Sequence, residues 1–275
     1  EQERKGKLAA INRAMRYVNS EIVVFSDANT LLNEKCIINL VRHYKNKKVG
    51  GVAGEKRVFT SEGEPGGEGA YWRYESFLKK LDSDLYSVVG AAGELFSIRK
   101  SLYTPLKENI ILDDFVQSLH VCLKGYVVRY EPEAYAMEKA SISLADERER
   151  KIRISAGGFQ AIGQLINLLN FFRYRTLSFQ YISHRVLRWT LAPLSLVMLF
   201  FSSVYLCISL NSPFYGIILA LQLLFYTLAI IGSFSKLKFF YLPHYFCFMN
   251  YCVVKGFWRF VLGKQGVAWH RAERH

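Results

Sequence analysis

The chemistry open to this chain rests first on three acids. Asp27 lies in the stretch "EIVVFSDANT", in which Ile22, Val23, Val24 and Phe25 run straight into Ser26, Asp27 and Asn29. An unbroken, β-branched run of this length reads as a strand covered on both faces, of the kind found in parallel sheets. Ligands collect at the carboxyl ends of such strands, which is where Asp27 falls. The same residue could instead cap a following helix or turn. The other two acids, Asp113 and Asp114, open a helical pattern in "LDDFVQSLHVCLKG". One of them can serve as a general base, since a carboxylate beside another has its pKa pushed upward, although both would also be stabilised simply by the helix dipole. Earlier in the chain, "VVGAAGELFSIRK" contains Gly90 and Gly93, which permit close approach to a ligand or only a tight turn.

The elements that must hold these acids follow from periodicity. "NEKCIINLVRHYKN" has apolar residues at helical spacing with Asn33 placed to cap it, and residues 49–53 read as the next strand. Strand, helix, strand in that order predicts a parallel sheet. Residues 60–69 form a loop by their glycines and proline, and "AYWRYESFLKKL" resumes a helical pattern. A strand is expected at 95–98, a helix from Asp113 closing at Gly125, and a strand at 126–130. Between Phe159 and Phe172 the residues Phe159, Ile162, Leu165, Ile166, Leu169 and Phe172 line one side of an amphipathic helix, expected to lie along the cytoplasmic membrane interface.

Composition divides the chain into unlike parts. Charged residues are spread through residues 1–155 but nearly vanish from 189 to 262. Two runs of 22 residues, 189–210 and 214–235, carry no charge, and each meets the roughly 20 apolar residues that cross hydrocarbon. Arg185 and Arg188 precede the first, Lys236 and Lys238 follow the second, and the "NSP" between them is uncharged, which places both outer flanks on the cytoplasmic side. A third apolar stretch, 239–262, holds Pro243, His244, Asn250, Lys255 and Arg259; it crosses or lies at the interface, and the basic residues favour the interface. The formal charge of +13 comes without a compact basic module interleaved with aromatics, which argues against nucleic acid and for anionic lipid and a phosphorylated substrate. The five cysteines show no metal-ligand spacing and read as reduced packing residues. The opening "EQERKGK" predicts that the natural start lies upstream.

Four pieces stand in order: "KGKLAAIN" at 5–12, "SDAN" at 26–29, "LDD" at 112–114 and "RKIRI" at 150–154. Together with "GAAGELFSIRKSLY" and a closing apolar block followed by Trp269 and Arg274, they resemble family 2 glycosyltransferases. Within that family the likeness is to the membrane-bound processive branch that includes cellulose, hyaluronan and poly-N-acetylglucosamine synthases. The resemblance implies an α/β GT-A domain, N-terminally truncated, at 1–155. It further implies interfacial helices at 156–187, a transmembrane region of two to three helices at 188–262 and a cytoplasmic tail at 263–275. It implies a multi-pass plasma-membrane enzyme, its catalytic domain cytoplasmic, that passes sugar from a nucleotide-diphosphate donor, first of all a UDP-sugar, to a growing polysaccharide. The competing expectations are a glycolipid or lipid-phosphate acceptor, and a non-catalytic anchor.

Residue by residue, the resemblance implies that Asp27 binds Mg²⁺ or Mn²⁺, with Asn29 standing where a second Asp is common. Lys7, Arg150 and Arg153 fall at donor and diphosphate-binding positions, and guanidinium groups suit a diphosphate because they grip it with paired hydrogen bonds. Asp114 matches the catalytic base, and Asp113 replaces a glutamate more often found before it. Gly90, Gly93 and Glu94 belong to the acceptor-site loop. Ile154 stands where the family carries a tryptophan.

Overall fold

The computed structural model describes residues 6–59, 69–139, 144–235 and 237–266. The loop read at 60–68, Lys236, and Trp269 and Arg274 of the tail lie outside the described residues. The chain begins with helix α1 (Lys7–Ala14), strand β1 (Ile22–Ser26), the short strand β2 (Leu31–Leu32) and α2 (Cys36–Val41). Strand β3 (Val49–Phe59), α3 (Gly69–Leu85), β4 (Leu95–Arg99), α4 (Asp113–Leu123) and β5 (Val127–Lys139) follow. The long α5 (Leu144–Gln164) then leads through α6 (Phe171–Tyr174), α7 (Thr176–Tyr181), a π-helical stretch at Ile182–Val186 and the short α8 (Leu187–Trp189). Three long helices close the chain: α9 (Leu191–Leu210), α10 (Pro213–Phe234) and α11 (Lys238–Val261).

The sheet is mixed, in the order β1-β4-β3-β5-β2, and this corrects the expectation of a parallel sheet. β3 and β5 pair in parallel, whereas β4 runs antiparallel to both β1 and β3. The strand-helix-strand order does give β1 and β3 the same direction, but β4 inserts between them. β1 is therefore an outer strand, and Ile22 to Phe25 are half-buried rather than covered on both faces. Phe25 compensates by stacking on Phe96 of β4, ring centroids 4.7 Å apart.

Side chains alternate across the sheet as the pleat requires. Val52, Leu95 and Ala136 face a core built with Cys36, Leu40 and Tyr44, on the α2 side. Ala53, Phe96 and Val128 face the larger core, which takes in Val116 and Leu119 of α4, Leu165 beyond α5, and Trp189. β5 runs nine residues beyond its expected end because a bulge absorbs Pro132: Gly54 pairs with Glu131 and the next residue, Glu55, with Tyr135. Asn33 does not cap α2 with its side chain. It accepts from the Tyr135 backbone at 2.9 Å and donates to the Glu133 carbonyl at 3.0 Å, tying the loop before α2 to the bulged part of β5.

The amphipathic helix expected at 159–172 is not continuous. α5 stops at Gln164, a 3₁₀ turn covers Ile166–Leu169, and Asn170 restarts the helix by accepting a hydrogen bond from the Arg173 backbone. Leu165 and Leu168 are fully buried, while Phe171 and Phe172 are exposed.

α9 and α10 are long and apolar enough to cross a membrane, and most of their large side chains, among them Met198, Phe201, Ile217 and Leu221, face outward. α11 is a single helix across the third apolar stretch despite Pro243, and it packs along α5. The crossing is close: a Cβ on Gly256 would lie 2.5 Å from the Ser155 Cβ and 2.8 Å from the Ala156 backbone nitrogen. Phe159 meets Phe257 edge-on at 5.2 Å, and Arg259 pairs with Glu149.

Gly256→Val should therefore force α11 away from α5 and lower stability by about 1–3 kcal/mol, as overpacking does. Gly163→Ala on α5, where a Cβ meets nothing within 4 Å, should be neutral or slightly stabilising. Thermal unfolding of the two variants in detergent checks this; equal melting temperatures would contradict the α5–α11 contact.

Candidate active site

The sheet order brings the three acids together. β4 runs opposite to β1, so its first residue, Leu95, pairs with Ser26, the last residue of β1. Gly93 and Glu94, just before β4, thus stand beside Asp27, just after β1. The first residue of α1 and the first two of α4 complete the arrangement: Lys7, Asp27, Gly93, Asp113 and Asp114 line one cavity of about 440 Å³. Phe25, Phe96 and Tyr103 form its aromatic wall.

Lys7 is the hinge of the charges. Its Nζ lies 3.0 Å from Asp27 Oδ1 and 3.8 Å from Asp113 Oδ2. Burial works against a charged lysine, but Asp113, Asp114 and Asp27 outweigh it and hold the pKa above the ordinary value. Asp27 itself is pushed upward, by burial first, with Lys7 pulling the other way. Its side chain caps no helix, since the chain passes through a turn, where Thr30 donates to the Asp27 carbonyl, into β2. That removes the helix-capping alternative, and a turn does follow Asp27.

Asp114 is raised to about 7, chiefly by burial and then by the charge of Asp113, with Lys7 opposing. Gly93 lies directly against it: a Cβ there would be 3.2 Å from Asp114 Oδ2 and 3.5 Å from Lys7 Nζ. Gly90 has φ +89° and faces the Phe115 ring, which a Cβ would meet at 2.1 Å, so both its conformation and its neighbour call for glycine.

The remaining sequence candidates stand further out, and Asn29, Gly90, Glu94, Arg150 and Arg153 do not line the cavity. Asn29 turns its amide nitrogen to Glu138 Oε1 at 2.8 Å. Arg150 pairs with Glu147 one turn earlier on α5, at 3.0 Å. Arg153 is half-buried and within electrostatic reach of Asp113 and Asp114; burial lowers its pKa while the two acids raise it. Glu94 is held at about 2: burial would raise it, but the paired Lys56 overrides this.

Two groups of residues escaped the sequence reading. Tyr103 donates to Asn12 Oδ1 at 2.6 Å, and Asn12 donates in turn to the Leu106 carbonyl at 2.8 Å, which fixes the aromatic wall to α1. Asn12 closes the quoted "KGKLAAIN", so that signal was present. Lys56 and Glu138, buried side by side on the β3–β5 ribbon, left none.

The donor set suits a hard divalent cation. Asp27 offers a carboxylate, and Asn29, its nitrogen committed to Glu138, has its carbonyl oxygen left to offer. Among the described residues no three His, Cys, Asp or Glu side chains form a cage of their own, so a cation here would be shared with substrate oxygens, as Mg²⁺ commonly is.

An α/β sheet of this order, with acids at the end of an outer strand and two long apolar helices following, is the GT-A-like architecture of a glycosyltransferase. The pattern of the family described as Glycosyl transferase family group 2 matches residues 22–233, and the chain belongs to that family. Among curated proteins it is similar to the poly-beta-1,6-N-acetyl-D-glucosamine synthase of Staphylococcus aureus strain COL, 23% identical over 168 residues that cover 58% of this chain and 40% of that protein. The corresponding synthase of Staphylococcus epidermidis is 22% identical over 167 residues with the same coverage. The matched stretch spans less than half the length of these relatives. Among solved structures, a mannosyltransferase from Pyrobaculum calidifontis in complex with GDP-Man and Mn²⁺ superposes with a TM-score of 0.68 over 96% of this chain and 69% of that one. At 18% identity this likeness concerns the fold.

The position of Asp114 sets a pH dependence. With Asp114 serving as a general base, which must be ionised to act, kcat/KM is expected to rise with pH through an apparent pKa near 7. Because its folded pKa lies above the ordinary carboxylate value, ionising Asp114 costs stability, and that cost enters as pH rises toward and through 7. Asp114→Asn should accordingly be more stable than the parent at pH 8, with the gap closing toward pH 5. Thermal melts across pH check the sign, and a gap that widens on acidification would contradict it.

Proposed function

We propose that this glycosyltransferase is a membrane-bound, inverting enzyme that passes a sugar from a nucleotide-diphosphate donor to a growing polysaccharide. The observation that carries the reading is the convergence of Lys7, Asp27, Asp113 and Asp114 on one cavity. A donor diphosphate is anionic and gains charge as it leaves. Lys7 meets that charge at the mouth of α1, and Arg153, with Arg150 one turn away on α5, supports it from behind the acids. Mg²⁺ or Mn²⁺ held by Asp27 and Asn29 would supply further charge neutralisation of the leaving diphosphate.

Asp114 is the group placed to take a proton. Its raised pKa leaves it ionised in part near neutrality yet basic enough to accept a proton from an acceptor hydroxyl. As that proton is taken, the acceptor oxygen attacks the anomeric carbon from the face opposite the diphosphate, and a single displacement inverts the centre. Gly93, with no side chain beside Asp114 Oδ2, leaves room for the acceptor. Gly90 and Glu94 shape the rest of that loop. Asp113 acts on its neighbour through charge and holds Lys7. The curated relatives' names and the GDP-Man bound by the structural neighbour support a nucleotide-sugar donor, and both UDP- and GDP-sugars are consistent with the site.

α9 and α10 cross the membrane in this reading, because so much outward-facing apolar surface belongs in lipid rather than water. Arg185 and Arg188 before α9 support a catalytic part on the cytoplasmic side of the plasma membrane.

Release of UDP or GDP by membranes carrying the full-length protein, across a panel of nucleotide sugars, tests the activity. Asp114→Asn should cut transfer by roughly 10²-fold or more while nucleotide binding survives. Asp27→Ala should abolish transfer and weaken Mn²⁺-dependent nucleotide binding. Retention of most activity by Asp114→Asn would sink the assignment of the base.

A further inference from the structure

Lys56, which the reaction scheme does not use, lies buried at the centre of a chain of polar contacts. It sits on β3, with its side chain 1% exposed. Its Nζ is 2.5 Å from Oε2 of Glu138, on the neighbouring β5, and it also donates to Oε1 of Glu94. The second oxygen of Glu138 accepts from the Asn29 amide at 2.8 Å. A continuous path therefore runs from Asn29 through Glu138 and Lys56 to Glu94. The peptide bond carries it to Gly93, whose backbone stands against Asp114 and Lys7.

We propose that Lys56 is a positioning residue that joins the donor and acceptor sides of the site, fixing Asn29 through Glu138 and the Gly93 backbone against Asp114 through Glu94. The proposal rests on the reading of Asn29 as donor-side and Asp114 as base. A carboxylate only accepts hydrogen bonds, so Glu138 obliges Asn29 to present its nitrogen inward and keep its carbonyl oxygen for a cation. Glu94, held by a charge-assisted hydrogen bond, cannot swing, and the backbone it follows is pinned.

Two considerations separate this role from simple stabilisation. Buried ion pairs contribute little to stability compared with apolar residues of similar size, so a charged chain here is poorly explained by folding alone. The path also runs between Asn29, two residues beyond the cavity-lining Asp27, and Gly93, which lines the cavity itself. The surrounding charges are consistent: burial disfavours the Lys56 ammonium, Glu94 and Glu138 favour it, the charge of Arg150 on α5 opposes it, and the balance keeps it protonated.

Two shape-preserving variants make the role testable, because each cuts one arm. In the full-length protein in detergent, affinity for UDP and GDP with Mn²⁺ is measured by calorimetry, and kcat by nucleotide release at saturating donor. Glu138→Gln should weaken nucleotide–Mn²⁺ binding roughly 10-fold or more, as loss of an outer-shell partner does, with kcat at saturation changed less. Glu94→Gln should lower kcat by about 10-fold and leave nucleotide affinity within about 3-fold. Lys56→Met should show both losses, and Lys56→Arg, which keeps a charged donor, should restore part of each. If the folded Glu138→Gln and Glu94→Gln proteins change the same constant by the same factor, or change neither, the positioning role is overturned. Asp27→Ala and Asp114→Asn run alongside: their expected losses with silent Glu94 and Glu138 variants reject the Lys56 role alone, whereas a fully active Asp114→Asn rejects the underlying reading and this proposal with it.

Discussion

Three carboxylates facing one partly dry cavity repel one another, and the site depends on the positive charge that holds them there. Lys7 supplies it, touching Asp27 and Asp113 and acting on Asp114. The contact is half-exposed, so as a salt bridge it contributes at most about 1 kcal/mol to stability. Its consequence is geometric: the start of α1, the end of β1 and the start of α4 are brought to a single point. The same balance sets reactivity. Asp114 keeps a raised pKa because burial and the charge of Asp113 outweigh the pull of Lys7, and Asp27 is likewise pushed upward by burial against Lys7.

The scaffold answers this constraint through strand order. Because β4 is inserted antiparallel between β1 and β3, the loop before β4 arrives beside the end of β1, and Gly93 reaches Asp114. A wholly parallel arrangement would carry that loop to the opposite end of the sheet. The β3–β5 ribbon extends past the bulge at Pro132 and delivers Lys56 and Glu138 to the back of the site. Behind α4, Phe115 and Trp189 meet at 5.6 Å, so the packing under Asp114 continues into the segment that leads to α9.

What was legible in the sequence is what local chemistry determines. Asp27 was marked by the apolar run before it, and Asp113 and Asp114 by their place at a helix start. The directions of β1 and β3 followed from the helix between them. Long-range placement was not legible. Nothing local says that β4 comes between two strands that precede it, and so β1 was taken for a covered strand. The strand read at 126–130 continues past Pro132 because a bulge accommodates it, which is a property of the paired strand and not of the local sequence. The helix through 159–172 had the right periodicity, but Asn170 breaks it by capping a new turn. Lys56 has the composition of any surface lysine, and only its buried partners distinguish it.

The central claim is that diphosphate, cation and acceptor meet at the Lys7–Asp27–Asp114 cavity. A cryo-electron microscopy structure of the full-length protein with Mn²⁺ and either UDP or GDP tests it most directly. The account predicts the diphosphate beside Lys7, with Mn²⁺ held at Asp27 and Asp114 facing the open space beyond Gly93. Nucleotide bound away from Lys7 and Asp27, or Asp114 turned out of the cavity when nucleotide is present, would contradict it.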